Sequence, residues 1–407
     1  VARTIPIFPD NGPAAAAQGA APLEFRVSPP LALYVHVPWC VQKCPYCDFN
    51  SHEAPATIPE RDYVAALIAD LQAALPLIWG RPVVSVFFGG GTPSLLSPAA
   101  IDELIAAFRA LAMLAPEAEI TLEANPGTVE AAKFAGFRAA GVNRLSLGIQ
   151  SFNDAHLQAL GRIHGAAEAK RAAQLAGEHF PSFNLDLMYG LPGQTLEQAL
   201  SDIDTALGFA PAHLSCYQLT LEPNTRFAAF PPELPENDLC ADMQEAIETR
   251  LAAAGFSNYE TSAFARPDKQ CRHNLNYWYF GDYLGIGAGA HSKLTLHDRV
   301  LRQMRWKHPK AYLENIGRGQ PVQEETQVEA ASLPFEFMMN ALRLADGFHP
   351  ALFEARTARP LQAILPQLRA AAAEGLLEVG PERIAPTLKG RRFLNVLLER
   401  FLDEAAG

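Results

Sequence analysis

The feature that most constrains this chain is an alternation of two periods that begins at Leu31 and runs for almost two hundred residues. Short apolar and β-branched runs at 32–37, 82–88, 118–123, 142–147, 183–188 and 213–219 predict strands. Between them, helical spacing of apolar residues covers 60–78, 98–112, 128–139, 166–178 and 195–208, with Pro98 and Thr128 placed to open helices. Six strands alternating with five helices in this way predict an α/β fold with a parallel sheet and right-handed crossovers, either open and doubly wound or curled into part of a barrel. Periodicity alone does not choose between the two.

The pattern changes after residue 225. A proline-rich stretch (Pro231, Pro232, Pro235) precedes a helix at 237–254, and an aromatic and glycine-rich segment covers 271–292. The last hundred residues read as mostly helical, with a small β-wing at 376–379 and 383–386 and a final helix at 390–403. The expected organisation is a loosely held tail (1–30), an α/β domain (31–225), a connecting segment (226–330) and a smaller helical domain (331–407), the last with a winged-helix element.

The residues just after each strand carry the chemistry, because α/β folds gather their sites at the C-terminal ends of strands. The first strand leads into Cys40, Cys44 and Cys47, spaced C-x3-C-x2-C. Three thiolates leave one iron of a cubane without a protein ligand, and that iron suits the amine and carboxylate of S-adenosylmethionine (SAM). The alternative is zinc with Asp48 or His52 as fourth ligand, but structural zinc sites usually pair two C-x2-C units and no second pair exists. Cys216, Cys240 and Cys271 are scattered and read as small buried hydrophobes.

The second strand ends in Gly89-Gly90-Gly91-Thr92-Pro93, where backbone N–H groups without a Cβ in the way would seat a carboxylate. Glu123 and Asn125 end the third strand, and Glu123 is placed to accept from ribose hydroxyls. Gly148, Gln150 and Ser151 come after the fourth. Arg162 is suited to pairing a carboxylate, and Asp186 interrupts an apolar strand where a charge without a partner is costly. The fifth strand ends in YGLPGQT (189–195) and the sixth in TLEP (220–223). For each polar residue the competing reading is a solvated rim position. The Gly285-Ile286-Gly287-Ala288-Gly289-Ala290 run lacks the helix and acidic partner of a dinucleotide site and reads as a tight turn or close backbone approach.

Composition limits the partners. A net charge of -11 argues against general nucleic-acid or anionic-lipid binding, and no apolar run approaches the roughly 18–20 residues of a membrane span. The start lacks a basic and apolar leader, so the expected compartment is the cytoplasm.

Taken in order, the cysteine motif, GGGTP (89–93), LEANPG (122–127), GIQSF (148–152), LGRIH (160–164) and NLDLMYGLPGQT (184–195) resemble the radical SAM family, in the branch of oxygen-independent coproporphyrinogen III oxidase. The resemblance implies a partial (β/α)6 TIM-like barrel with a smaller C-terminal domain, and a 4Fe-4S cluster on Cys40, Cys44 and Cys47. It also implies a SAM site lined by Tyr34, Gly90, Gly91, Thr92, Glu123, Gln150, Arg162 and Asp186, with Tyr46 near the nucleoside. His273-Asn274 followed by Tyr277-Trp278 resembles the HNxxYW signature of the haem chaperones in that branch. It implies haem as bound cargo, His273 as a candidate axial ligand, and delivery to haem-accepting proteins, membrane-associated respiratory enzymes among them. The alternative is that His273 and Asn274 are a local hydrogen-bonded pair in a structured loop. The alternative activity is oxidative decarboxylation of coproporphyrinogen III to protoporphyrinogen IX. Two departures weigh against it: Phe49 stands where the oxidase pattern has a further Cys, and only the low-complexity tail precedes the first strand.

Overall fold

The computed structural model describes residues 22–402. Its centre is the expected strand series: β1 (Leu31–Val37), β2 (Pro82–Gly90), β3 (Met113–Ala124), β4 (Arg144–Gln150), β5 (Phe183–Tyr189) and β6 (His213–Gln218). They pair side by side in parallel in that order. β1 (LALYVHV) is buried along almost its whole length, as a strand covered on both faces must be. Side chains from all six strands line one interior cavity, so the sheet is curled into the partial barrel that the family resemblance implied.

The crossover helices are capped by local chemistry. α1 (Glu60–Ile78) reaches α2 (Pro98–Leu111) through Glu60, which accepts from the backbone N–H and the hydroxyl of Ser97. Ser97 in turn caps α2, its Oγ accepting the Ala100 N–H at 3.1 Å with Pro98 at the first helical position. The helix expected at 128–139 is two short ones, Thr128–Ala131 and Phe134–Ala139. α3 (Ala166–His179) and α4 (Leu196–Leu207) complete the core layer, and α5 (Asn237–Ala253) comes after them.

The sheet extends beyond the six predicted strands. At one edge, β7 (Ser257–Glu260) pairs antiparallel with β8 (Ala263–Ala265), which in turn pairs antiparallel with β6. A short helix, α6 (Arg272–Trp278), leads to β9 (Asp282–Ile286), which lies parallel to β1 as a seventh parallel strand. Beyond it β10 (His291–Thr295), β11 (Val300–Arg305) and β12 (Val322–Gln327) form an antiparallel meander. The glycine run at 285–290 is thus the end of a strand and a close approach: a Cβ on Gly287 would lie 2.4 Å from the His36 carbonyl oxygen.

A separate core holds the C-terminal part, with Phe337 fully buried against Phe280, Phe348 and Phe353. The wing is present as the antiparallel pair β13 (Leu377–Val379) and β14 (Ile384–Pro386), whereas the final helix is broken into Leu388–Arg392 and Leu394–Glu399. Of the expected tail, residues 1–21 lie outside the described residues. The remainder is not loose: Leu23 and Phe25 are buried in the C-terminal core, and the Phe25 N–H donates to the His297 carbonyl at 2.8 Å. Two large apolar side chains in nine residues are reason enough for that docking. No described helix is long and apolar enough to cross a membrane.

Candidate cluster and cofactor site

The three cysteines sit in a loop pinned at its base. Trp39–Cys40 pairs with His52–Glu53, and the Cys47 N–H donates to the Cys44 carbonyl at 3.2 Å inside the loop. All three thiols are free and half-buried, and all three line a cavity of about 310 Å³ at the C-terminal ends of the strands. Burial, with the neighbouring thiols adding to it, pushes Cys40 and Cys47 upward. Two sulfurs already receive hydrogen bonds: Thr92 Oγ1 donates to Cys40 and Arg162 Nη1 to Cys44, each at 3.5 Å. Three soft ligands converging on one cavity with donors behind them fit an iron-sulfur cluster. Neither Asp48, which is exposed, nor His52, whose ring packs against His308, lines that cavity.

Of the expected SAM-site residues, Tyr46, Gly90, Gly91, Thr92, Glu123, Gln150, Arg162 and Asp186 all line this cavity. Tyr34 does not. Its hydroxyl bonds to His36 Nδ1 at 2.9 Å and its ring faces a deeper cavity. Tyr46 leans on Phe227 and lies beside Cys44 and Arg162. Gln150 ends β4 in the left-handed region at φ 67°, where the strand's register with β5 shifts.

One sequence reading needs correction. The N–H groups after β2 are not open for a ligand carboxylate, because Gly90 donates to Glu123 Oε2 at 3.3 Å and Gly91 and Thr92 donate to the Val37 and Trp39 carbonyls at 2.7 Å. The glycines serve a close crossing instead, since a Cβ on Gly91 would fall 2.5 Å from the Trp39 oxygen. Arg162 Nη1 and Nη2 donate to Asn125 Oδ1 (2.6 Å), the Gly148 carbonyl (2.8 Å) and Cys44, while its buried Nε has no hydrogen-bond partner. The YGLPGQT segment builds a helix cap, in which Thr195 and Gln198 exchange hydrogen bonds at the start of α4.

Asp186 finds the partners its burial demands, accepting from Asn184 Nδ2 at 2.8 Å and Ser146 Oγ at 3.1 Å. Burial raises its pKa. Burial, reinforced by Asp186, also pushes Glu123 up to about 8. Asn125, Ser146, Met188 and Tyr217 also line the cavity and were not picked out as site residues from sequence. Asn125 was visible beside Glu123 at a strand end; Tyr217 and Met188 gave no signal beyond strand periodicity.

A second cavity of about 240 Å³ lies deeper in the barrel and shares Glu123, Ser146, Asp186 and Tyr217 with the first. Its floor is α6. Arg272 donates to the Glu117 carbonyl and the His273 N–H to Glu119 Oε1, so α6 closes the barrel at the strand starts, opposite the cysteines. His273 is buried, its Nδ1 within 3.0 Å of Ser85 Oγ and its ring stacked on Phe87. Burial pushes it down to about 3. With α6 seated, Nε2 is buried and has no hydrogen-bond partner, and the local pair with Asn274 is not formed: Nδ1 pairs with Ser85 and the backbone N–H with Glu119.

Residues 34–206 match the Radical SAM superfamily and residues 328–393 the HemN C-terminal domain. The chain is 52% identical over 378 residues to the Heme chaperone HemW of Escherichia coli, covering 92% of this chain and 99% of that protein. It is 36% identical to the Heme chaperone HemW of Mycobacterium tuberculosis, covering 94% and 97%. Among solved structures it is similar to the coproporphyrinogen III oxidase (HemN) of Escherichia coli, a radical SAM enzyme, with a TM-score of 0.78, 26% identity, and 92% and 90% of the two chains covered. With the cysteine loop, the strand-end cavity and both family regions in agreement, the chain belongs to the radical SAM superfamily, in the family of proteins that carry the name heme chaperone HemW.

Proposed function

We propose that this protein is a haem chaperone that binds haem and delivers it to acceptor haemoproteins, carrying a 4Fe-4S cluster on Cys40, Cys44 and Cys47 and SAM in the adjoining cavity. The observation that carries the reading is the convergence of three free thiols on one strand-end cavity, in a chain half identical to proteins named for haem chaperoning. A bound cluster supplies a one-electron donor and an iron free of protein ligands. Around it, Gly90, Gly91, Thr92, Glu123, Gln150, Arg162 and Asp186 shape the SAM pocket, and Tyr46 covers its cluster side. Tyr34 acts one layer deeper, holding His36.

Phe49, 62% exposed at the rim of the cavity, supports chaperoning over decarboxylation, since the oxidase pattern places a thiol there. His273 is assigned to the barrel floor, and haem contact at its imidazole requires α6 to leave its seat. Acceptors include membrane-associated respiratory enzymes, reached from the cytoplasm. The test is haem titration of the anaerobically reconstituted protein with and without SAM. A saturable change in the visible spectrum is expected; its absence overturns the reading. Multiple-turnover formation of protoporphyrinogen IX with SAM and a reductant would favour the oxidase instead.

A further inference from the structure

Two of the three cluster thiols are joined by an unbroken line of hydrogen bonds that crosses the mouth of the barrel. Arg162 Nη1 donates to Cys44 Sγ at 3.5 Å and its Nη2 to Asn125 Oδ1 at 2.6 Å. Asn125 Nδ2 donates to Thr92 Oγ1 at 3.0 Å, and Thr92 Oγ1 donates to Cys40 Sγ at 3.5 Å. The three linking residues come from the ends of different units: Thr92 after β2, Asn125 after β3, and Arg162 beyond β4, where the Gly148 carbonyl also anchors it.

The direction of the line is fixed by donor chemistry. A guanidinium has donors only, so Asn125 must present its oxygen to Arg162 and therefore its amino group to Thr92. With its oxygen occupied by that N–H, the Thr92 hydroxyl keeps its single proton for Cys40. Asn125 sits at the middle of the line, accepting from Arg162 and donating to Thr92.

We propose that Asn125 is a positioning residue which, through Thr92 and Arg162, holds one donor on the sulfur of Cys40 and another on that of Cys44, and thereby sets the reduction potential of the cluster. The inference rests on the reading that these cysteines hold a 4Fe-4S cluster. Donors to ligand sulfur draw off negative charge and favour the reduced, more negative state, which raises the potential. Asn125→Asp has the same shape but only accepts. It turns the Thr92 hydroxyl away from Cys40 and adds a negative charge, and both effects lower the potential.

The experiment is an EPR-monitored redox titration of the full chain, reconstituted anaerobically and without SAM, with iron and sulfide measured alongside. Asn125→Asp and Thr92→Val are expected to shift the midpoint to more negative values with iron and sulfide unchanged. Thr92→Ser, which keeps the hydroxyl, is expected to stay near wild type. Should Asn125→Asp fail to load, the Thr92 pair decides alone. Midpoints equal to wild type in loaded variants, or a Thr92→Ser shift as large as that of Thr92→Val, overturn the proposal. A wild-type chain that takes up no cluster defeats the underlying assignment instead.

Discussion

The backbone N–H of Gly90 donates to Glu123 Oε2 at 3.3 Å, tying the glycine run after β2 to the end of β3. The same glycine is held at φ 112°, with the His36 ring where a Cβ would go, only 2.6 Å away. His36 is itself bonded to the Asn50 carbonyl in the cysteine loop at 2.9 Å. Gly90→Ala therefore strains the backbone by about 1–3 kcal/mol and pushes His36 against that loop. We expect SAM affinity, measured by calorimetry on the reconstituted protein, to fall by about tenfold or more.

Glu123 makes stability depend on pH. Its carboxyl ionises near 4.5 when free and at about 8 in the fold, so the folded state holds a proton that the unfolded chain releases first. The stabilisation is complete below pH 4.5 and is lost as pH rises toward 8. Relative to Glu123→Gln, the cluster-free wild type should lose stability steadily between pH 5 and pH 8 in denaturant titrations. A difference that stays flat across that window contradicts the assignment.

His273 should behave as a floor residue. Removing the imidazole leaves the buried Ser85 hydroxyl without its partner and opens a void beside Phe87, at a cost of about 2–4 kcal/mol. His273→Ala should lower Tm and leave the haem difference spectrum of the folded protein unchanged. A lost haem spectrum in a variant of normal Tm would place His273 on the haem.

Phe337 joins three aromatic neighbours in the C-terminal core, among them Phe280 just after α6. Phe337→Ala should destabilise the chain by about 3–5 kcal/mol in denaturant melts. Because Phe280 lies directly after the barrel floor in the chain, hydrogen exchange in α6 should rise with it.

The six parallel strands were legible because each carries a short apolar or β-branched run bounded by turn residues. β9 was not. It opens with Asp282 and runs into glycines, and its partner β1 lies some 250 residues earlier, beyond any local pattern. The meander was hidden for a related reason: Lys293 and Arg305 are buried there, paired with Asp282 and Asp70 at 3.0 Å, so its inward positions read as polar. Charges paired across the fold cannot be told from solvated ones in a single sequence. At the site, the cysteine spacing and strand-end rule pointed to Cys40, Cys44, Cys47, Gly90, Gly91, Thr92, Glu123, Gln150 and Asp186, which line the cavity, but not to Ser146, Met188 or Tyr217. They also missed direction: that Gly90, Gly91 and Thr92 spend their N–H groups within the chain, and that α6 closes the opposite end of the barrel.

The central claim is tested most directly by iron, zinc and acid-labile sulfide analysis of the anaerobically reconstituted chain beside its Cys40→Ser, Cys44→Ser and Cys47→Ser variants. The account predicts one 4Fe-4S cluster per wild-type chain and its loss in each of the three. Zinc in place of iron and sulfide, or any of the three variants retaining the full wild-type content, would contradict it.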